Sequence, residues 1–237
     1  MADQTAQSPN PAETPSSPAA VPPPQETDII AANDEHENEV EDDADSTLGA
    51  DAHHYLTILL DDKLFLPPLK ADDIKVVLDV GTGTGIWAIE FADRHPSVEI
   101  IGTDLSPCQP EWVPPNVRFE IDDAALEWTW GPDEFDFIHI RYIFGAIKDW
   151  SALFSEAYRC CVPGGWVQSA EADVEFRCDD GTIDKEPNLK IYKKLFEEGG
   201  KILGNPFFVY NQQVQGFKDA GFEDVTTVDY KVTAATY

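Results

Sequence analysis

Apolar residues in this chain gather into short runs of strand length, separated by segments with helical period. Lys75–Val80, Val98–Thr103, Val117–Ile121, Phe135–Ile140 and Trp166–Ala170 each read as a strand, and Val225–Tyr230 reads as a sixth. Between and after them, Ile86–Arg94, Asp149–Cys161, Asn188–Glu198 and Tyr210–Ala220 have the spacing of amphipathic helices, and Gly221 suits the C′ position after the last. Strands that alternate with helices and are apolar nearly throughout predict an α/β fold: a mostly parallel sheet with helices on both faces.

Ahead of this region, Tyr55, Ile58, Leu59 and Leu60 predict a short helix from about Asp51. Asp61-Asp62 predict a turn, and Pro67-Pro68 stop any regular element. His53 and His54 read as surface or packing residues rather than ligands. Residues 1–50 are rich in Pro, Ala, Ser and acid, with too little apolar surface to offset the entropy of ordering. They are expected to be a disordered tail, solubilising or regulatory, in front of one domain over residues 51–237.

Charge narrows the partners. The net charge is −29, and the first 50 residues carry twelve acids with no Lys or Arg. Such a chain repels phosphate backbones and anionic lipid, so direct nucleic-acid binding is not expected. No apolar run approaches the ~20 residues that span a bilayer, and no signal peptide is visible. The four cysteines, Cys108, Cys160, Cys161 and Cys178, contain no C-x-x-C pair and read as thiols in a reducing compartment. The expected location is the cytoplasm, with the nucleus as the alternative, and no metal site is expected.

The candidate chemistry lies where the first strand meets the first helix of the alternating region. Val77-Leu78-Asp79-Val80 runs into Gly81-Thr82-Gly83-Thr84-Gly85, and Asp104 follows at the end of the next strand. Three alternating glycines allow a sharp turn and close approach of a ligand to the backbone. A carboxylate ending the second strand can accept hydrogen bonds from both hydroxyls of a ribose. Two cofactors fit a ribose. Gly83-Thr84-Gly85-Ile86-Trp87-Ala88 matches a dinucleotide pattern, but late in register. Asp79, two residues before the first glycine, would repel a pyrophosphate and suit a cationic amine, which favours S-adenosyl-L-methionine over NAD.

Other strand ends add candidates. Leu105 can lie on the adenine face. Asp123, or alternatively Asp122, can accept from the adenine amine, with Ala124 leaving room for the ring. His139 is either a general base or a strand histidine packed under a helix, and Arg141 either positions the cofactor or braces its loop. Trp128, Trp130 and Trp150 read as core or lid residues.

The run His53-His54, the block Leu78–Asp93, Gly102–Pro107, Gln109–Val117, Phe135–Arg141, Pro163-Gly164-Gly165-Trp166 and Asp179–Thr182 together resemble the fungal LaeA-like S-adenosylmethionine-dependent methyltransferases, over about residues 53–230. The resemblance implies a Rossmann-like class I methyltransferase fold of seven strands, the last antiparallel. It implies cofactor contacts at Asp79, Gly81, Gly83, Asp104 and Asp123, and an association with secondary metabolism through regulators or tailoring enzymes. Three departures stand out. An acidic tail replaces the Tyr- and Asn-rich segment that precedes the His pair in such proteins. Gln168 stands where an acid is common. The chain also ends at Tyr237, so the domain is expected to be C-terminally incomplete and to lack its final strand.

The full candidate set is therefore Asp79, Gly81, Thr82, Gly83, Gly85, Asp104, Leu105, Asp123, Ala124 and Arg141 for the cofactor, with His139 as the catalytic candidate. The expected activity is methyl transfer to a small molecule or a protein. The alternatives are a non-catalytic binding protein on the same fold and, against Asp79, a nicotinamide oxidoreductase. The acceptor and the oligomeric state are not legible in the sequence.

Overall fold

The structure, a computed structural model, describes residue 49, residues 51–70 and residues 73–232. Apart from residue 49, the tail expected over residues 1–50 lies outside them.

Five strands form one parallel sheet: β1 (Val76–Val80), β2 (Glu99–Asp104), β3 (Val117–Ile121), β4 (Phe135–Arg141) and β5 (Cys161–Ala170), in the order β3-β2-β1-β4-β5. Helix α1 covers residues 51–59. It is followed by α2 (Ile86–Arg94), α3 (Trp150–Cys160), α4 (Pro187–Leu203) and α5 (Tyr210–Ala220). This is an α/β, Rossmann-like arrangement, in the strand order of the fold that the resemblance implies.

Alternation along the central strands builds two cores. Leu78 and Val80 of β1 and Ile138 and Ile140 of β4 point to one face, where α3 supplies Trp150, Leu153, Phe154 and Ala157. Val77 and Phe137 point to the other, against Trp87, Ala88, Phe91 and Ala92 of α2. Helix α5 packs on α3 through stacked Phe154 and Phe217 rings, 4.1 Å between centroids. Trp128 and Trp150 are buried core residues, and Trp130 packs beside Phe135.

Three boundaries differ from expectation. Strand β5 starts at Cys161 rather than Trp166, so Pro163-Gly164-Gly165 lies inside it as a local irregularity opposite Phe135 and Phe137. Gly165 allows this, because a Cβ there would sit 2.9 Å from the Asp136 carbonyl. Helix α4 runs on to Leu203, where Gly204 ends it at φ 77°. The expected sixth strand is absent: residues 225–230 pair with no strand, and Val228 and Tyr230 are exposed. Strand propensity is expressed only when a neighbour completes the ladder, and no such neighbour stands among the described residues.

The order of strands places the site. From β1 the chain builds outward through β2 to β3, then crosses back to place β4 on the other side of β1. The carboxyl ends of β1 and β4 flank the crevice where open α/β sheets take their ligands. Register sets Asp79 between Gly102 of β2 and His139 of β4.

Candidate functional site

The glycine turn is built as its spacing suggests. Gly81, Gly83 and Gly85 all have positive φ, at 68°, 56° and 76°. The turn is tied down by the Thr82 amide, which donates to the Thr103 carbonyl at 2.8 Å, and by the Gly85 amide, which donates to the Thr82 carbonyl at 3.0 Å. The three glycines answer different demands. A Cβ at Gly81 would lie 2.3 Å from Ile143 Cγ2, and one at Gly85 would lie 2.3 Å from the Phe119 ring. A Cβ at Gly83 would meet nothing within 4 Å. Protein packing therefore explains Gly81 and Gly85, while the middle glycine faces open space.

Asp104 ends β2 beside that open space. Its Oδ2 accepts from the Gly83 amide at 2.8 Å, and its Oδ1 accepts from the Ser106 amide at 3.0 Å. Each carboxylate oxygen keeps a further lone pair. The Gly83 carbonyl accepts from the Gln109 side-chain amide at 2.6 Å and from the Cys108 thiol at 3.3 Å. At the end of β3, Asp122 Oδ1 accepts from the Asp123 amide and Asp123 Oδ1 from the Ala125 amide, both at 2.9 Å. Leu105 is exposed, as is Ile121. Ala124 packs against the core, and its carbonyl accepts from the Trp128 indole at 3.2 Å.

Asp79 is enclosed, not open to the crevice. It is 3% exposed. Its Oδ2 accepts from the Thr82 hydroxyl at 2.6 Å, and its Oδ1 lies 2.7 Å from His139 Nδ1. The positive φ at Gly81 folds the chain back so that Thr82 closes over the carboxylate three residues earlier. His139 is 1% exposed and stacks on Trp87 with ring centroids 3.7 Å apart and planes 5° apart. Burial lowers its pKa, against the opposing pull of Asp79. A neutral ring donating from Nδ1 to a carboxylate, packed beneath a helix, serves to hold Asp79.

Around the end of β4 the structure brings the candidate Arg141 together with His53 and with Glu171, which the pattern of the sequence left unassigned. Arg141 is half-buried, and its guanidinium lies 3.1 Å from His53 Nδ1. His53, expected at the surface or in packing, is buried, with Nε2 2.5 Å from Glu90 Oε2 of α2. Beyond Arg141, Tyr142 takes φ 58°. The next two amides, of Ile143 and Phe144, donate to the Glu171 carboxylate at 3.3 and 2.9 Å. Burial outweighs these hydrogen bonds and raises the Glu171 pKa to about 7. The one sequence signal for Glu171 was an acid directly after the last strand of the sheet. The His53-His54 run marked the resemblance but not the contacts of His53, because its partners lie 37 and 88 residues away.

Some groups take no part. Burial pushes the Cys160 and Cys161 thiols up to about 11 and about 12, which leaves them unreactive. No group of three metal-ligating side chains forms among the described residues, and no described helix is long and apolar enough to cross a membrane. Two shallow depressions, of about 300 and 230 Å³, lie at the amino ends of the strands, the far side from the glycine turn.

A family model described as a methyltransferase domain matches residues 52–227. The chain belongs to that family. Among curated relatives it is 37% identical to methyltransferase pytC of Aspergillus terreus, over 78% of this chain and 57% of that protein. It is 36% identical to the secondary metabolism regulator LAE1 of Cochliobolus heterostrophus, over 68% and 53%. To the protein-methionine methyltransferase laeA of Emericella nidulans it is 33% identical, over 65% and 41%. The chain thus spans about half the length of the curated relatives it matches. Among solved structures, a chain of the complex between the Haloferax volcanii Trm112 methyltransferase activator and its methyltransferase superposes with a TM-score of 0.55 at 17% identity, covering 86% of each chain. At that identity the likeness concerns the fold.

Proposed function

We propose that the chain binds S-adenosylmethionine at the carboxyl ends of β1, β2 and β3 and directs its methyl group to a small-molecule or protein acceptor. The observation that carries this reading is the pairing of Asp104 with the open face of Gly83. A carboxylate held by two amides, with a lone pair left on each oxygen, suits a ribose diol; the missing Cβ gives the ligand its approach. Asp79 adds a buried negative charge beneath the turn, which disfavours a diphosphate there and favours an ammonium. Its enclosure means that Thr82 must share it with the ligand. Asp123, Ala124 and Leu105 are the residues assigned to the base in this reading, with Asp122 bracing Asp123 by accepting from its amide.

The cofactor supplies an activated methyl group. The chain's own part is to bind, orient and align, a proximity effect. With His139 enclosed, no histidine base is assigned, which suits an acceptor that is nucleophilic as it stands. The name of one relative, a protein-methionine methyltransferase, supports a protein as acceptor, with a small molecule as the alternative, and the charge of −29 argues against nucleic acid. The cytoplasm, or alternatively the nucleus, is the proposed location.

Calorimetric titration with S-adenosylhomocysteine tests the reading. The wild-type chain should bind, and Asp104→Ala should lose about tenfold or more in affinity. Undiminished binding by the variant would overturn the site.

A further inference from the structure

We infer that His53 is a positioning residue: it sets the Arg141 guanidinium at the end of β4 to take the carboxylate of the cofactor's amino-acid end, so that the seating of α1 and the binding of that end are one event. The inference rests on the S-adenosylmethionine reading above, since it assigns one end of that ligand.

The hydrogen bonds of His53 admit one protonation state. A guanidinium only donates, so Nδ1, 3.1 Å from Arg141, must offer a lone pair. The ring proton is then on Nε2, where it donates to Glu90 Oε2 at 2.5 Å. A protonated ring would turn an N–H toward the guanidinium and break the first bond. Burial and the nearby Arg141 charge favour the neutral ring, while Glu90 and Asp79 oppose them, and the net pKa is lowered. The charged and titratable groups that act on this ring are Glu90 of α2, Asp79 of β1, and His139 and Arg141 of β4. Arg94 of α2 pairs with Glu90 on its far side.

Arg141 is a half-buried cation with no carboxylate of the described residues within ion-pair distance. Of the charges that attract it, Asp79 acts most strongly. A cation held out of water without a counter-ion is costly and calls for an anionic partner. The end of β4 borders the crevice, and the ligand proposed there has a zwitterionic end. Its carboxylate fits Arg141 and its ammonium fits Asp79, which sits on the neighbouring strand beside His139.

Helix α1 is strapped onto this arrangement at both ends. His53 in its first turn holds Glu90 and Arg141. Just past its last turn, the Asp62 carbonyl accepts from Arg94 at 2.8 Å. The Thr57 hydroxyl donates to the His53 carbonyl at 2.9 Å and keeps that first turn wound.

The test titrates the full chain with S-adenosylhomocysteine and with methylthioadenosine, which has the same nucleoside and no amino-acid end. His53→Asn keeps an acceptor near the Nδ1 position; His53→Gln keeps an amide near Nε2 and loses that acceptor. The expected result for His53→Gln is about tenfold or more weaker binding of S-adenosylhomocysteine, against a change within about threefold for His53→Asn. Methylthioadenosine should bind both variants as it binds the wild type. Wild-type affinity for S-adenosylhomocysteine should also fall as pH drops below the ordinary histidine value of 6.5, a fall absent in His53→Asn. Arg141→Gln leaves the Glu90 strap in place and should show the same selective loss. Equal affinity of wild type, His53→Gln and Arg141→Gln for S-adenosylhomocysteine would overturn the inference and leave the cofactor reading standing. So would equal losses for both ligands in Arg141→Gln. A wild-type chain that binds neither ligand would overturn both.

Discussion

His139 Nδ1 lies 2.7 Å from Asp79 Oδ1, between neighbouring strands and almost wholly out of water. The pair braces the glycine turn from beneath, with Thr82 closing the other carboxylate oxygen. We propose that His139 in this position supports the fold and the turn rather than taking a proton from the acceptor.

Replacing His139 by Leu should therefore register first as lost stability. It leaves a buried carboxylate short of one donor, a cost of about 1–3 kcal/mol. Urea unfolding measures it. A catalytic base would instead leave stability and cofactor affinity intact and remove only turnover.

The glycines should separate by what they lose. Gly85→Ala forces a Cβ against Phe119 as well as an unfavourable φ, and should destabilise the chain by about 2–4 kcal/mol. Gly83→Ala meets no protein atom and should cost only about 1 kcal/mol, yet its methyl intrudes on the ligand side. Thermal melts set beside S-adenosylhomocysteine isotherms check this: binding should be lost in Gly83→Ala with little loss of stability.

Stability should change with pH through Glu171. Its pKa is raised from 4.5 to about 7 in the folded chain, so the folded state holds the proton more tightly than the unfolded state. That contribution is fully present below about pH 4.5 and is lost as pH rises through about 7. At most it amounts to about 3 kcal/mol. Glu171→Gln mimics the protonated side chain and should flatten this part of the stability profile. Chemical denaturation at a series of pH values reads the difference. A parallel slope in both chains would remove Glu171 from the explanation.

In the core, Phe154→Ala should cost about 3–5 kcal/mol. Phe154 is fully buried, stacks on Phe217 and fills the space left by Gly216, where a Cβ would lie 2.7 Å from its ring. Loosening of α5 from α3, seen as faster amide exchange in α5, should accompany the loss.

Much of the frame was legible in the sequence because its signals are local. The run into Gly81-Thr82-Gly83-Thr84-Gly85 marks a strand, a turn and a helix within a dozen residues, and β1 and α2 follow it closely. What failed depended on distant partners. Val225–Tyr230 has strand composition but no neighbour to pair with among the described residues. His53 reads as a surface or packing residue, and its burial fits the second, but its pairing with Glu90 and Arg141 depends on partners far along the chain. The closure of Asp79 by Thr82 has a local signal, since the two are three residues apart across a glycine turn.

A crystal structure of the full chain with S-adenosylhomocysteine bears most directly on the central claim. The expected result has both ribose hydroxyls on Asp104, the backbone of Gly83 in contact with the ligand, and the homocysteine end between Asp79 and Arg141. A crevice closed to the ligand, or a nucleotide with its diphosphate seated on the glycine turn, would contradict it.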